Sequence, residues 1–194
     1  MSKVKWKGGT LLAPVPPVLV TCGTQEKPNV FTVAWTGIIN SDPPKTYVSV
    51  RPSRYSYGLI RETGTFVINL PTVDLVRSVD YCGVHSGRDK DKLMLCNLTA
   101  EKASEVETPL LAQCPLALEC RVTEVMPLGS HDMFLADIVA VDVDENLLDA
   151  SGKLCLDKAK LLAYAHGTYF GLGKRLGSFG FSVRKKRKNR DGKK

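Results

Sequence analysis

The stretch from residue 31 to residue 71 constrains the fold more than any other part of this sequence. Two segments rich in strand-forming residues, 30–35 and 47–50, flank a polar loop with two prolines at 40–45. We therefore expect these segments to pair as adjacent antiparallel strands. A short helix is predicted over 57–63, with Ser56 as its N-cap and Gly64 as its end.

Two arginines, Arg51 and Arg54, flank Ser53 between the second strand and this helix. Guanidinium groups pair with phosphate oxygens, and a helix N-terminus offers free N–H donors and the positive end of the helix dipole. The turn is therefore a candidate phosphate site. On local pattern alone, solvated arginines at a strand end are the alternative interpretation.

The rest of the chain favours further strands and one more helix, over 72–81, with Gly83 just past its end. Residues 97–108 are predicted to be a surface loop or short helix. Alternation in 116–123 predicts one buried and one mainly polar face, whereas 133–143 is apolar on both sides, as expected for a strand that a second subunit helps to cover. Strands are predicted at 17–23, 65–70, 116–123 and 133–143.

Several ordered motifs resemble the flavin reductase, or flavoredoxin-like, family. They include N-x-x-T-x-A-W at 29–35, R-P-S-R-Y-S-Y at 51–57 and E-T-G-x-F-V-I-N-L-P at 62–71. The resemblance runs from about residue 14 to residue 177. It implies a mainly β protein with short helices, a single-domain FMN-binding split β-barrel of Greek-key type. It also implies FMN as cofactor and a homodimer.

The resemblance further implies which residues contact the cofactor. Trp35 would wall the flavin ring, and Lys92 and His131 are candidates to stabilise negative charge on reduced flavin, although no catalytic residue is assigned with certainty. Each of these residues also has an ordinary structural interpretation, in the core, in a turn or in a charged loop. The candidate contacts are Asn29, Thr32, Ala34, Trp35, Thr36, Arg51, Ser53, Arg54, Ser56, Asn69, Leu70, Ser86, Gly87, Arg88, Lys92, His131 and Tyr169.

The function that the resemblance implies is an NAD(P)H-dependent flavin reductase, which passes hydride or electrons through bound FMN. NADH or NADPH would then be a transient co-substrate. Two alternatives remain open. The protein could be a non-enzymatic FMN electron carrier between redox protein partners, or a binding protein with a basic tail and no flavin.

The formal net charge of +7 comes from the end of the chain, because residues 182–194 hold eight Lys or Arg and one Asp. We expect residues 1–181 to form one flavin reductase-like domain and 182–194 a disordered basic tail. No nucleic-acid module accompanies that tail, so nucleic-acid binding is not expected.

Membrane insertion and metal binding are not expected either. Prolines interrupt the first apolar run, at residues 11–20, which predicts a cytoplasmic protein without a membrane segment. The six cysteines contain no C-x-x-C pair, and the three histidines have no ligand spacing. We interpret the cysteines as reduced and mostly structural.

Overall fold

The computed structural model describes residues 1–184, and its strands outnumber its helices, which confirms the mainly β prediction. The predicted basic tail lies outside the described residues from 185 onward. Short 3₁₀ turns occur at Val73–Leu75, Glu145–Leu147, Leu156–Lys158 and Phe181–Val183. The other elements are β1 (Val18–Gly23), β2 (Pro28–Val33), β3 (Thr36–Ser41), β4 (Pro44–Val50), α1 (Tyr55–Thr63), β5 (Thr65–Leu70), α2 (Val76–Val84), α3 (Lys92–Leu95), β6 (Ala100–Glu101), β7 (Leu110–Leu111), β8 (Leu116–Pro127), β9 (Asp132–Val143), β10 (Leu162–Ala165) and β11 (Thr168–Gly171).

Seven strands form one antiparallel sheet in the order β2-β1-β5-β8-β9-β4-β3. The sheet curls around a core that also includes α1, so that Phe31 of β2 and Val50 of β4 pack in the same cluster although their strands are far apart in this order. The sheet thus forms a barrel that is open between β2 and β4, as the predicted split β-barrel requires.

The predicted pairing of segment 30–35 with segment 47–50 is wrong. β2 pairs with β1, and β4 pairs with β3 and β9. The chain leaves β2 at Ala34 and Trp35 and then forms β3, where Ile38 and Ile39 are good strand formers. One backbone hydrogen bond, from the Ser49 N–H to the Trp35 carbonyl at 3.0 Å, still links the two regions.

Helix α1 ends as predicted but begins differently. Gly64 adopts φ 66° and donates its N–H to the Ile60 carbonyl, as a terminating glycine does. Ser56 is not the N-cap, because the helix already begins at Tyr55 and Arg54 occupies the cap position without a side-chain hydrogen bond.

Helix α2 runs to Val84, so Gly83 lies inside it rather than past its end. A Cβ at Gly83 would lie 3.4 Å from the Cβ of Thr32. The glycine therefore allows α2 to pack closely against β2.

The predicted polar face of β8 is buried in its first part, at Ala117 and Glu119, whereas Arg121 and Thr123 are exposed as expected. Glu119 is fully buried, and its carboxylate accepts hydrogen bonds from the backbone N–H groups of Ser104, Glu105 and Val106 and from the Ser104 hydroxyl. Burial acts to raise the pKa of Glu119, but these hydrogen bonds lower it below its ordinary value. The segment predicted as a surface loop over 97–108 is therefore partly a lid on the sheet.

Within residues 1–184, none of the helices has the length and apolar character that crossing a membrane requires. All six cysteines are free thiols.

Candidate functional site

A continuous groove follows the opening between β2 and β4 and continues past the start of α1. Three neighbouring cavities form it, which we call the inner, middle and outer cavities, with volumes of about 250, 530 and 530 Å³. The inner and middle cavities share Phe31, Arg51 and Arg54. The middle and outer cavities share Tyr55, Gly87 and Lys92.

The inner cavity combines an apolar wall with a polar one, which Thr32, Ser49, Arg51, Arg54 and His131 form. Its walls come from the end of β2, from Ala34 and Trp35, and from Ser49 and Val50 at the end of β4. Because the chain leaves the sheet at Ala34, the Trp35 side chain is not in the core and is 37% exposed. This cavity offers apolar walls beside an aromatic side chain, which suits a flat ring.

The middle cavity carries positive charge that no carboxylate neutralises. Arg51, Ser53 and Arg54 line it together with the first turn of α1. Arg54 donates through Nη2 to the Gly83 carbonyl at 2.9 Å. Within residues 1–184 the one ion pair joins Lys45 and Asp137, away from these arginines.

The start of α1 adds donors to the middle cavity. The N–H groups of Tyr55 and Ser56 have no acceptor among the described residues, as expected for the first turn of a helix. With the two guanidinium groups, they form a donor set that suits an anion such as phosphate.

The segment 85–91 forms the far wall of the groove, and Gly87 allows it to approach β2. A Cβ at Gly87 would lie 1.8 Å from Oδ1 of Asn29. Asn29 in turn donates through Nδ2 to the Ser56 hydroxyl at 2.8 Å, so one side chain connects β2, α1 and this segment. Arg88 lies over the ring of Tyr55, 6.0 Å from its centroid.

Lys92 lies where the middle and outer cavities meet, and it also holds the end of α2. Its Nζ donates to the carbonyls of Cys82 and His85 at 3.2 and 3.1 Å. Carbonyls at a helix C-terminus lack partners within the helix and favour a cation. Burial lowers the pKa of Lys92. The ammonium has two acceptors among the described residues, which leaves one proton available to a ligand.

His131 borders the inner cavity beside Arg51 and Arg54. Burial, followed by repulsion from these two guanidinium groups, lowers the pKa of His131 below its ordinary value. This shift favours the neutral form of the imidazole. Its Nδ1 lies 3.0 Å from the Ser130 hydroxyl.

Thirteen of the predicted contacts line the groove. They are Asn29, Thr32, Ala34, Trp35, Arg51, Ser53, Arg54, Ser56, Ser86, Gly87, Arg88, Lys92 and His131.

The structure does not bring Asn69, Thr36, Leu70 or Tyr169 to the groove. Asn69 is fully buried; its Nδ2 donates to the Leu19 carbonyl at 3.0 Å and its Oδ1 accepts from the Leu111 N–H at 2.8 Å. These bonds occupy the amide that was expected to contact a flavin edge.

The other three have ordinary structural contacts. The Thr36 hydroxyl donates to the Tyr47 carbonyl, and Leu70 packs against the barrel core. Tyr169 donates its hydroxyl to Asp80 of α2, and burial together with that carboxylate raises the pKa of Tyr169 to about 12.

Among the groove residues that the sequence analysis missed, three carry an aromatic or imidazole ring: Phe31, Tyr55 and His85. Phe31 and Tyr55 lie inside the motifs at 29–35 and 51–57. Their positions in these motifs could therefore have predicted that they line the groove. No motif in the sequence indicated a groove position for His85. This residue follows the end of α2 at Val84 and lines the middle cavity. Its ring stacks on Tyr81 with centroids 4.0 Å apart.

Comparison with known proteins agrees with this fold. Residues 11–173 match the model of the flavin reductase like domain. A flavoredoxin of Desulfovibrio vulgaris (Miyazaki F) superimposes with a TM-score of 0.87 at 31% identity, over 94% of this chain and 100% of that one. An FMN-binding protein from Thermus thermophilus gives a TM-score of 0.76 at 27% identity, over 92% and 97% of the two chains. An NADPH-flavin oxidoreductase of Streptomyces viridifaciens is 26% identical over 135 residues, 69% of each chain.

Proposed function

Since the chain belongs to the flavin reductase-like family, we propose that its groove binds FMN and that the protein is an oxidoreductase that takes electrons from NADH or NADPH. The observation that carries this proposal is the unneutralised donor set of Arg51, Ser53 and Arg54 at the start of α1, next to a cavity with Phe31, Val33 and Trp35 on one wall.

The residues present fit FMN in both of its parts. The middle cavity offers guanidinium, hydroxyl and backbone N–H donors for the phosphate. The inner cavity offers Phe31, Val33 and Trp35 for a planar ring. We therefore assign the phosphate to the middle cavity and the isoalloxazine to the inner one.

When bound, the isoalloxazine supplies the redox chemistry, since it accepts a hydride or single electrons. The protein contributes position and charge. Trp35 lines one side of the inner cavity, where its indole can pack against a bound ring. Neutral His131 and the adjacent arginines provide hydrogen bonds and positive potential, which favour a ring that has gained negative charge.

A second candidate function is electron transfer between proteins, without nicotinamide oxidation. The structural similarity to a flavoredoxin supports it, as does the partly exposed Trp35, through which a protein partner could approach the ring. The predicted homodimer fits Ile38 and Ile39 of the edge strand β3 and Val141 of β9, which are all exposed. The homodimer, the redox protein partner and the cytoplasmic location are further parts of this proposal.

The visible spectrum of the purified protein tests the cofactor. We expect the two absorbance bands of oxidised flavin and release of FMN on denaturation. Colourless protein that also fails to bind added FMN would contradict the proposal.

Steady-state oxidation of NADH and NADPH by the flavin-loaded protein then separates the two functions. Turnover with either nucleotide supports the reductase. A flavin that neither nucleotide reduces, but that a reduced redox protein does reduce, supports the carrier.

A further inference from the structure

Two cysteines lie close together behind the groove. The sulfur atoms of Cys82 and Cys96 are 3.9 Å apart. Cys82 is fully buried on α2, whereas Cys96 directly follows α3 and is partly exposed. The chain between them forms the far wall of the groove and includes Gly87 and Lys92.

The local structure permits the two sulfurs to approach each other. A disulfide has an S–S length of about 2.05 Å, so the sulfurs must move closer by roughly 2 Å. Cys96 lies at the end of a four-residue helix, and its carbonyl accepts a long 3.5 Å hydrogen bond from the Ser78 hydroxyl. The Cys96 N–H also bonds to the Lys92 carbonyl at 3.0 Å. Because Cys96 lies outside the strands of the barrel, rotation of the two cysteine side chains with a small shift of this short turn can close the gap.

We propose that Cys82 and Cys96 form a redox-active dithiol, which a peroxide oxidises to an intramolecular disulfide. The partly exposed Cys96 sulfur attacks the peroxide and loses its proton, so that Cys96 becomes a sulfenic acid and one water leaves. Cys82 then attacks the Cys96 sulfur and loses its proton, and a second water leaves. Two thiols and one hydrogen peroxide thus give one disulfide and two waters, with two electrons passing from sulfur to oxygen.

The roles of the two cysteines follow from their surroundings. Burial, and the neighbouring Cys96 sulfur, raise the pKa of Cys82 to about 12, so Cys82 is a poor first nucleophile and acts second. Cys155 is also partly exposed, but among the described residues no other cysteine sulfur lies in contact with it. It is therefore a matched control for exposure without a partner.

The effect of this disulfide on FMN binding in the groove rests on the proposed function. Lys92 donates to the carbonyl of Cys82 and starts α3, so a shift of Cys96 toward Cys82 must disturb the position of this lysine. We expect the oxidised protein to bind FMN several-fold more weakly than the reduced protein.

The disulfide is tested on the full chain with hydrogen peroxide, followed by alkylation of free thiols and mass spectrometry. We expect loss of two hydrogens, a cross-linked pair of peptides that contain Cys82 and Cys96, and reversal by a phosphine reductant. Cys155→Ser should still form the bond, whereas Cys96→Ser should not. Alkylation of both Cys82 and Cys96 in peroxide-treated wild type would overturn the proposal without any variant.

Titration of the oxidised and reduced wild-type protein with FMN tests the consequence. Equal affinities would overturn the coupling to the groove. If neither form binds FMN, the proposed function fails while the disulfide result stands on its own.

Discussion

The groove and the lid over β8 differ in whether their polar groups have hydrogen-bond partners within the protein. At the lid, the Glu119 carboxylate accepts four hydrogen bonds from residues 104–106. In the groove, the Arg51 side chain has no hydrogen bond or ion pair within the described part of the chain. Buried polar groups that lack partners cost free energy, so the fold satisfies the first set. The second set stays available for a ligand.

Two groove residues combine both roles: they make hydrogen bonds within the fold, and they also line the cavities proposed to hold the ligand. Asn29 ties β2 to α1 through Ser56, and Lys92 holds the end of α2, yet both also border the cavities. Substituting either one would change the fold and the groove together. A test of this difference is therefore clearest at residues that have only one of the two roles, either in the hydrogen bonding of the fold or in the groove.

The largest effect is expected at the lid. Glu119→Ala leaves three N–H groups without their acceptor, one of them at buried Val106, so we expect a loss of about 3 kcal/mol in the free energy of unfolding, measured by urea denaturation. Glu124→Ala, at an exposed position of the same strand, should change it by less than about 0.5 kcal/mol. The folded fraction of Glu119→Ala should still bind FMN with normal affinity. A specific loss of FMN affinity would show that the lid belongs to the site.

A smaller effect, on binding, is expected at Gly87. Gly87→Ala places a methyl group against the Asn29 side chain, so that side chain or segment 85–91 must shift, and FMN binding should weaken by about 1–3 kcal/mol, the usual cost of overpacking. Gly58→Ala is the control, because a Cβ there meets no atom within 4 Å. Isothermal titration of both variants gives the difference. Wild-type affinity in Gly87→Ala would place the ligand away from this wall.

The smallest effect concerns His131, and NMR titration of its ring measures it. Because the folded-state pKa lies below the ordinary value of 6.5, the unfolded chain takes up the proton first, and the protein loses stability as the pH falls from about 6.5 towards the folded-state pKa of His131. Arg51→Ala removes one repelling charge and should raise the pKa of His131. FMN, whose phosphate offsets the arginine charges, should also raise it, whereas riboflavin should raise it less. An unchanged pKa in Arg51→Ala would mean that the two groups do not interact.

Groove residues could be predicted from the sequence where charged residues or glycines occur in an ordered motif. Arg51, Arg54 and Gly87 are examples. It also placed β5, β8 and β9 correctly to within a few residues, because strand alternation and turn residues act locally.

Long-range partners were not predictable. Glu119 has the pattern of a solvent-facing strand residue, and its partners are backbone N–H groups, which have no sequence signature. Asn69 was assigned to the flavin from its motif, but the acceptor site on its amide is taken by Leu111, 42 residues away. Strand β3 was missed because the prolines after it were interpreted as a loop between β2 and β4.

The central claim is that the arginine turn binds the FMN phosphate, and one titration tests it most directly. FMN and riboflavin are titrated into wild-type, Arg51→Ala and Arg61→Ala apoprotein and followed by fluorescence quenching. Arg61 is an exposed arginine of α1 outside the groove. Arg51→Ala should weaken FMN binding by about 1–3 kcal/mol, the range for a charge-assisted hydrogen bond, and leave riboflavin binding unchanged. Arg61→Ala should change neither. Equal losses for both flavins in Arg51→Ala, or no loss for FMN, would contradict the claim.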